Sequence, residues 1–193
     1  MKNLISELRI SVVATLTLAV IVSGVYPLVV WGIAQSLFPQ KANGSLIVRD
    51  GKTIGSELIA QKFTDPKYFH PRPSAAGDVG YDAASSGGSN LGPTSKKLID
   101  SVKERVDAYR TENRLSAAVS VPADAVTTSA SGLDPHISVK NALIQVGRVA
   151  RARDMSEETI LAQVRANIEG RDLGILGEPR VNVLKLTLSL DSR

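Results

Sequence analysis

Apolar and polar positions divide this chain into two unlike parts. From Ile10 to Gln40 there is no Asp, Glu, Lys or Arg, and the chain beyond Gln40 is charged and rich in turn residues. An α-helix rises about 1.5 Å per residue, so roughly 20 apolar residues cross the ~30 Å hydrocarbon layer of a bilayer. Val12–Leu37 exceeds that length, which predicts one transmembrane helix over 10–38 after a short N-terminal tail, 1–9. A cleaved secretory signal is the competing reading, because Gly32-Ile33-Ala34 has small-x-small spacing. The apolar run is too long for it, since such segments typically span about 7–15 residues. Gly24, Pro27 and Gly32 lie inside the span. Small residues permit close helix approach and a proline frees a backbone carbonyl, so these three are candidate packing points for a partner's helices. Lys2 and Arg9 precede the span while Lys41, Arg49 and Lys52 follow it. Only the shortness of the tail favours an N-terminus inside the cell.

Residues 41–193 read as one soluble domain. Ser45–Arg49, Asp50-Gly51 and Lys52–Ile54 predict a strand, a tight turn and a second strand. Leu58, Ile59 and Phe63 recur at helical spacing, which predicts a short helix over 56–63, closed by the prolines at 66, 71 and 73. From Asp65 to Pro93 the chain is almost continuous turn chemistry, with Tyr68, Phe69, Tyr81 and Leu91 as residues that can anchor it. Thr94 is the expected cap of an amphipathic helix that carries Leu98, Ile99, Val102, Val106 and Tyr109 on one face. Pro122 starts a short turn into Val126, and 127–135 is loop again. Ser138 and Ser156 are expected to cap two further helices, with Met155 and Ile160 spaced as a hydrophobic staple and Gly170 as the stop. Val183–Leu190 alternates leucine with Lys185, Thr187 and Ser189, the pattern of a half-buried strand. The fold class is therefore a single N-terminal transmembrane helix followed by one compact α+β soluble domain.

Composition removes several functions. The chain has no cysteine, so disulfides, thiolate metal sites and a cysteine nucleophile are excluded. His70 and His136 are its only histidines and stand in unrelated proline contexts, so no metal site is expected. The net charge of +4 is dispersed among acidic neighbours, and no aromatic residue follows Tyr109. Nucleic acid is not an expected partner; the lipid bilayer is. Ser129, Ser131, Asp134 and His136 crowd into one loop and supply the residue types of a hydrolytic triad, yet no G-x-S-x-G turn surrounds either serine. Alternatively, both serines bond loop backbone, Gly132 takes a positive φ and Asp134 organises the turn at Pro135. The run Ser85–Gly92 is glycine-rich but lacks the Gly-Lys-Ser/Thr ending of a phosphate loop. Arg72, Arg148 and Arg180 are candidates either for an anionic ligand or for structural clamps on carboxylates.

Four longer strings carry a resemblance. They are Tyr68–Gly77 (YFHPRPSAAG), Gly87–Pro93 (GGSNLGP), Val126–Ser138 (VTTSASGLDPHIS) and Gly177–Leu184 (GEPRVNVL). With the N-terminal anchor, they resemble the C subunit of the Kdp potassium-transporting P-type ATPase over essentially the full chain. The resemblance implies a non-catalytic accessory subunit of a bacterial inner-membrane, high-affinity potassium import complex. It would stabilise the assembly and act as a catalytic chaperone that promotes ATP binding by the ATPase subunit. Implied partners are a channel-like potassium-binding subunit, the P-type ATPase subunit and a small stabilising subunit. No bound cofactor is expected; ATP enters through the complex, and potassium is the cargo. A family glutamine implicated in nucleotide contact best matches Gln145, which the residues alone also allow as a buried amide bonded within the helices. Arg72, Ser74, Ser89, Asn90, Ser129, Ser131, Gly132, Asp134, His136, Arg180 and Asn182 fall in the matching strings and become candidates for partner docking or loop organisation. With the N-terminus inside, the soluble domain lies outside the cytoplasm. The alternative is a membrane-anchored extracytoplasmic hydrolase using Ser131 and His136.

Overall fold

The computed structural model describes residues 2–191. Met1 of the expected tail, the side chain of Lys2, and residues 192–193 of the expected domain lie outside the described residues. The chain forms two units, one up to Leu46 and one from Ile47 onward.

The first unit is one nearly continuous helix. It consists of α1 (Lys2–Ala19), a π-helical stretch (Val20–Val25) and α2 (Tyr26–Leu37), followed by a single turn, α3 (Pro39–Ala42). Residues 2–9, expected as a tail, are its opening turns. Asn3–Leu37 is long and apolar enough to cross a membrane, and at about 1.5 Å per residue its 35 residues extend about 52 Å. The π stretch has a local cause. Pro27 has no N–H to extend the α ladder, and the bonding just before it widens, with the Tyr26 N–H donating to Ile21 O, five residues back. Gly24 falls inside that stretch, and a side chain added at Gly24 or Gly32 would meet nothing within 4 Å.

In the second part of the chain, β1 (Leu46–Arg49) and β2 (Lys52–Ser56) form the expected hairpin. Asp50 and Gly51 both take positive φ, 51° and 74°, which matches the right-handed twist of the strands they join. The helix expected over 56–63 is not formed. The Ser56 hydroxyl accepts from Leu58 N at 3.1 Å, and Ala60 N donates to the distant Leu133 O at 2.9 Å. Local and long-range partners thus take the donors a helical ladder needs. The segment 65–93 is irregular as expected, and the completely buried Phe69 ties it into the core.

Helix α4 (Lys96–Asn113) is capped by Ser95, one residue beyond the expected Thr94, and a short α5 (Ala123–Val126) follows Pro122. Ser138 and Ser156 cap α6 (Val139–Arg153) and α7 (Glu157–Ala166), their hydroxyls accepting from Asn141 N and Thr159 N. Met155 packs against the core cluster to which the fully buried Ile160 belongs. The second helix ends at Asn167 and not at Gly170. Its chain turns directly into β4 (Ile168–Glu169), an edge strand of an antiparallel sheet ordered β3-β5-β4, with β3 at His136–Ser138 and β5 at Arg180–Asn182. The register pairs Ile137 and Ile168 with Val181, and Ser138 and Glu169 with Arg180, so one face is apolar and the other polar.

The strand expected over 183–190 is the helix α8 (Val183–Asp191). Val183, Leu186, Thr187 and Leu190 are its buried residues at helical spacing, together with Leu184, whereas Leu188 is only half-buried. The alternation of leucines is real, but the buried set has a period near 3.6. Asn182 Oδ1 accepts from Lys185 N at 3.1 Å and starts the helix where the strand stops. Core residues from α6, α7, α8 and the sheet join Phe69 in one cluster.

Candidate functional site

Helix α6 carries a polar stripe inside an otherwise apolar buried face: Asn141, Gln145 and Arg148, at spacings of four and three. Gln145 is 1 % exposed and uses its whole amide. Its Oε1 accepts from His70 N at 2.7 Å and Arg148 Nη2 at 2.6 Å, and its Nε2 donates to His70 O at 3.2 Å and Asn141 Oδ1 at 2.9 Å. Two donors and two acceptor sites are all an amide offers. Arg148, 5 % exposed, donates through Nη1 to Pro66 O and Tyr68 O and pairs through Nε with Glu112 of α4 at 3.3 Å. His70 Nδ1 meets the same carboxylate at 2.8 Å. Tyr109 donates its hydroxyl to Asn141 Oδ1 at 2.7 Å. The segment 66–70 is thereby fastened to α6 through its backbone and to α4 through the His70 ring.

The electrostatics follow from this packing. Burial raises the Glu112 carboxyl, but the His70 hydrogen bond and charge, with the Arg148 charge, outweigh it and hold it below the usual carboxylate value. Burial lowers the Arg148 guanidinium against the opposing effect of Glu112, and raises the Tyr109 phenol. A cleft of about 300 Å³ opens beside the cluster, lined by His70, Pro73, Tyr81, Arg105, Glu112 and Gln145 among others. Burial pushes the Tyr81 phenol at its wall up to about 12.

A second set of bonds stitches loop 71–90 to loop 127–135. Arg72 Nη1 pairs with Asp134 at 3.0 Å and its Nη2 donates to Thr128 O at 3.3 Å. Ser74 Oγ donates to Gly132 O at 2.6 Å while accepting from Tyr81 N at 2.7 Å, and the Tyr81 hydroxyl donates to Arg72 O. Ser86 Oγ and Gly87 N both donate to Ser131 O. Gly132 has φ +69°, and a Cβ there would stand 2.7 Å from Ala76 N and Gly87 O; only glycine fits. Asp134 Oδ1 accepts from His136 N and organises the turn at Pro135. Burial raises the Asp134 carboxyl, but bonds from His136 and Arg72 outweigh it and keep it below its ordinary value.

Several of the sequence-predicted residues meet here. Arg72, Ser74, Ser131, Gly132 and Asp134 form the platform, with Ser129 buried beneath it and Gln145 in the adjoining cluster. The ring of His136 lies between Asp134 at 3.5 Å and Glu169 at 3.3 Å. Arg180, on the central strand β5, pairs with Glu169 and Asp172, and Asn182 Nδ2 donates to Glu57 O at 2.8 Å. Ser89 and Asn90 are exposed, and Gly24, Pro27 and Gly32 belong to the first unit. Ser131 Oγ accepts from Leu133 N, and among the described residues no bond joins it to His136. Glu112, Asn113, Asn141 and Tyr109 were not singled out as site residues. The 141/145/148 spacing within an apolar helix face was the available signal. Among the described residues no group of three or more His, Asp or Glu side chains is placed to hold a metal ion.

The fold and site define a protein with one helix fit to cross a membrane and an α+β domain whose ordered loops form a pinned surface. The family profile described as "KdpC: K+-transporting ATPase, c chain" matches residues 8–192. Curated relatives named "Potassium-transporting ATPase KdpC subunit" include those of Nitratidesulfovibrio vulgaris, 52% identical over 98% of this chain and 95% of the relative, and Bradyrhizobium diazoefficiens, 55% identical over 97% and 98%. The Mycobacterium tuberculosis protein of the same name is 57% identical over 91% and 93%. The chain belongs to the KdpC family of potassium-transporting ATPase subunits.

Proposed function

We propose that this chain is the non-catalytic accessory subunit of a high-affinity, ATP-driven potassium import complex of the bacterial inner membrane. It stabilises the assembly and promotes ATP binding by the P-type ATPase subunit, which carries the hydrolysis. Its partners are that subunit, the channel-like potassium-binding subunit and the small stabilising subunit, with the soluble domain outside the cytoplasm. The observation that supports this reading is the pinned platform, in which Arg72 and Ser74 of one matching string bond Asp134 and Gly132 of another, while Gln145 of α6 holds the His70 backbone. Loops already ordered in the free protein lose little entropy when a partner covers them. ATP is cytoplasmic, so an external domain acts on its binding through the complex, and Gln145 contributes by fixing the shape of segment 66–70. The hydrolase alternative needs a serine bonded to its base, whereas Ser131 Oγ accepts from backbone.

Deleting the gene tests the proposal. Growth on limiting potassium should fail, and the remaining complex should show a higher KM for ATP. A chain that purifies alone and loses an esterase activity on Ser131→Ala would overturn the subunit reading. A reporter that works only in the cytoplasm, fused after residue 193, should stay silent; activity there would overturn the external placement.

A further inference from the structure

Among the described residues, the connection between β4 and β5 holds the most exposed large apolar residue of the second unit, Leu173, with two more beside it. Leu173 is 90% exposed, Ile175 75% and Leu176 55%, and every residue from 171 to 179 is exposed. The turn is nevertheless built. Asp172 and Leu176 exchange two backbone bonds of 2.9 Å, Gly174 (φ 78°) closes the bend, and Arg171 Nη2 reaches both oxygens of Glu178 at 3.0 and 2.9 Å. Arg180 braces Asp172 from the strand at 3.4 Å. Leu173 itself sits at φ 55°, a backbone region unfavourable for a side chain with a Cβ. Single exposed leucines are common, but three branched residues on one braced tip form an apolar patch of the kind that marks a contact site.

The surrounding charges point to what covers it. Arg171 pairs with Glu178, Arg180 with Glu169 and Asp172, and Lys185 with Glu169, while residues 165–180 include no Lys, Trp or Tyr. An anionic lipid surface is met by an excess of basic residues and by interfacial Trp or Tyr. A balanced, internally paired rim around an aliphatic tip suits an apolar protein cleft, where no net charge must be desolvated. We propose that Leu173, Ile175 and Leu176 seat in an apolar cleft on a neighbouring subunit of the transport complex. This rests on the accessory-subunit reading above and adds the contact surface, which lies outside the platform residues.

The test uses the full-length chain in its own membranes, with Ile175→p-benzoylphenylalanine for photo-crosslinking and the same probe at the exposed Lys103 of α4 as control. The expected product is an adduct with another subunit of the ATPase complex, mapped by mass spectrometry, from the Ile175 position only. Leu173→Asp with Ile175→Asp should lower the co-purifying subunits at least tenfold while the melting curve of the chain itself stays unchanged. Adducts with lipid alone or with a second copy of the chain would overturn the proposal. So would co-purification of the aspartate variant at the unaltered level, which would leave the subunit reading standing. Failure of the unaltered chain to co-purify would remove both.

Discussion

Replacing Gln145 by alanine should destabilise the soluble domain by about 3–5 kcal/mol. The glutamine's four bonds disappear with it, leaving the His70 N–H, one Arg148 N–H and His70 O without their partners. Asn141 Oδ1 keeps its bond from Tyr109. An orphaned buried group costs about 1–3 kcal/mol, so three of them sum to about 3–9 kcal/mol. The cleft that Gln145 lines is open, so water can re-enter and lower the sum. Against a typical domain stability of about 5–15 kcal/mol the loss is large. Urea unfolding of the full chain in detergent, followed by far-UV circular dichroism, measures it. Hydrogen exchange in peptides spanning 66–73 should accelerate in parallel. Gln145→Glu should fall between: a carboxylate still accepts from His70 N and Arg148, but faces His70 O and Asn141 Oδ1 without a proton to donate. A loss below about 1 kcal/mol with unchanged exchange at His70 would refute the locking role. If that result came with a raised KM for ATP in the assembled complex, the glutamine would instead contact nucleotide directly.

Further outcomes rest on the same geometry. Gly132→Ala should cost about 2–4 kcal/mol, from positive-φ strain and contact with backbone at 2.7 Å, while Gly170→Ala, with nothing within 4 Å, should be near neutral in the same urea assay. Asn182→Ala should cost about 1–3 kcal/mol by removing the start of α8 and the bond to Glu57 O; helix content lost on mild heating reports it. Glu112 and Asp134 both have lowered carboxyl values in the folded protein. Their stabilising contribution is complete above their ordinary values of 4.5 and 3.8 and disappears as pH falls through the folded ones. Thermal stability should therefore drop from about pH 4.5 downward, and Glu112→Gln with Asp134→Asn should flatten that limb.

Local chemistry was readable wherever a few neighbouring residues decide the outcome. The charge-free run, the Ser138 and Ser156 caps and the Asp50-Gly51 turn each depend on residues within about one or two turns, whereas the close approach of Ala76 and Gly87 to Gly132 is tertiary. The helix expected over 56–63 failed because its donors have partners elsewhere, such as Leu133 O for Ala60 N. The α8 segment failed differently, since its leucines satisfy a period of 2 and a period near 3.6 together. Packing against the core, with Asn182 as cap, selected the second.

By itself, then, the sequence determined an apolar anchor-length helix, an α+β domain behind it, the principal helix starts and the irregular course of 65–93. Tertiary structure alone decided the three-residue strands, the helical state of 183–191 and the joining of His70 to Gln145, seventy-five positions away. The division has one physical cause. A cap or turn is fixed by bonds within a few residues, whereas a short strand or a buried polar side chain is stable only when distant partners satisfy it, and no local pattern encodes which partners those are.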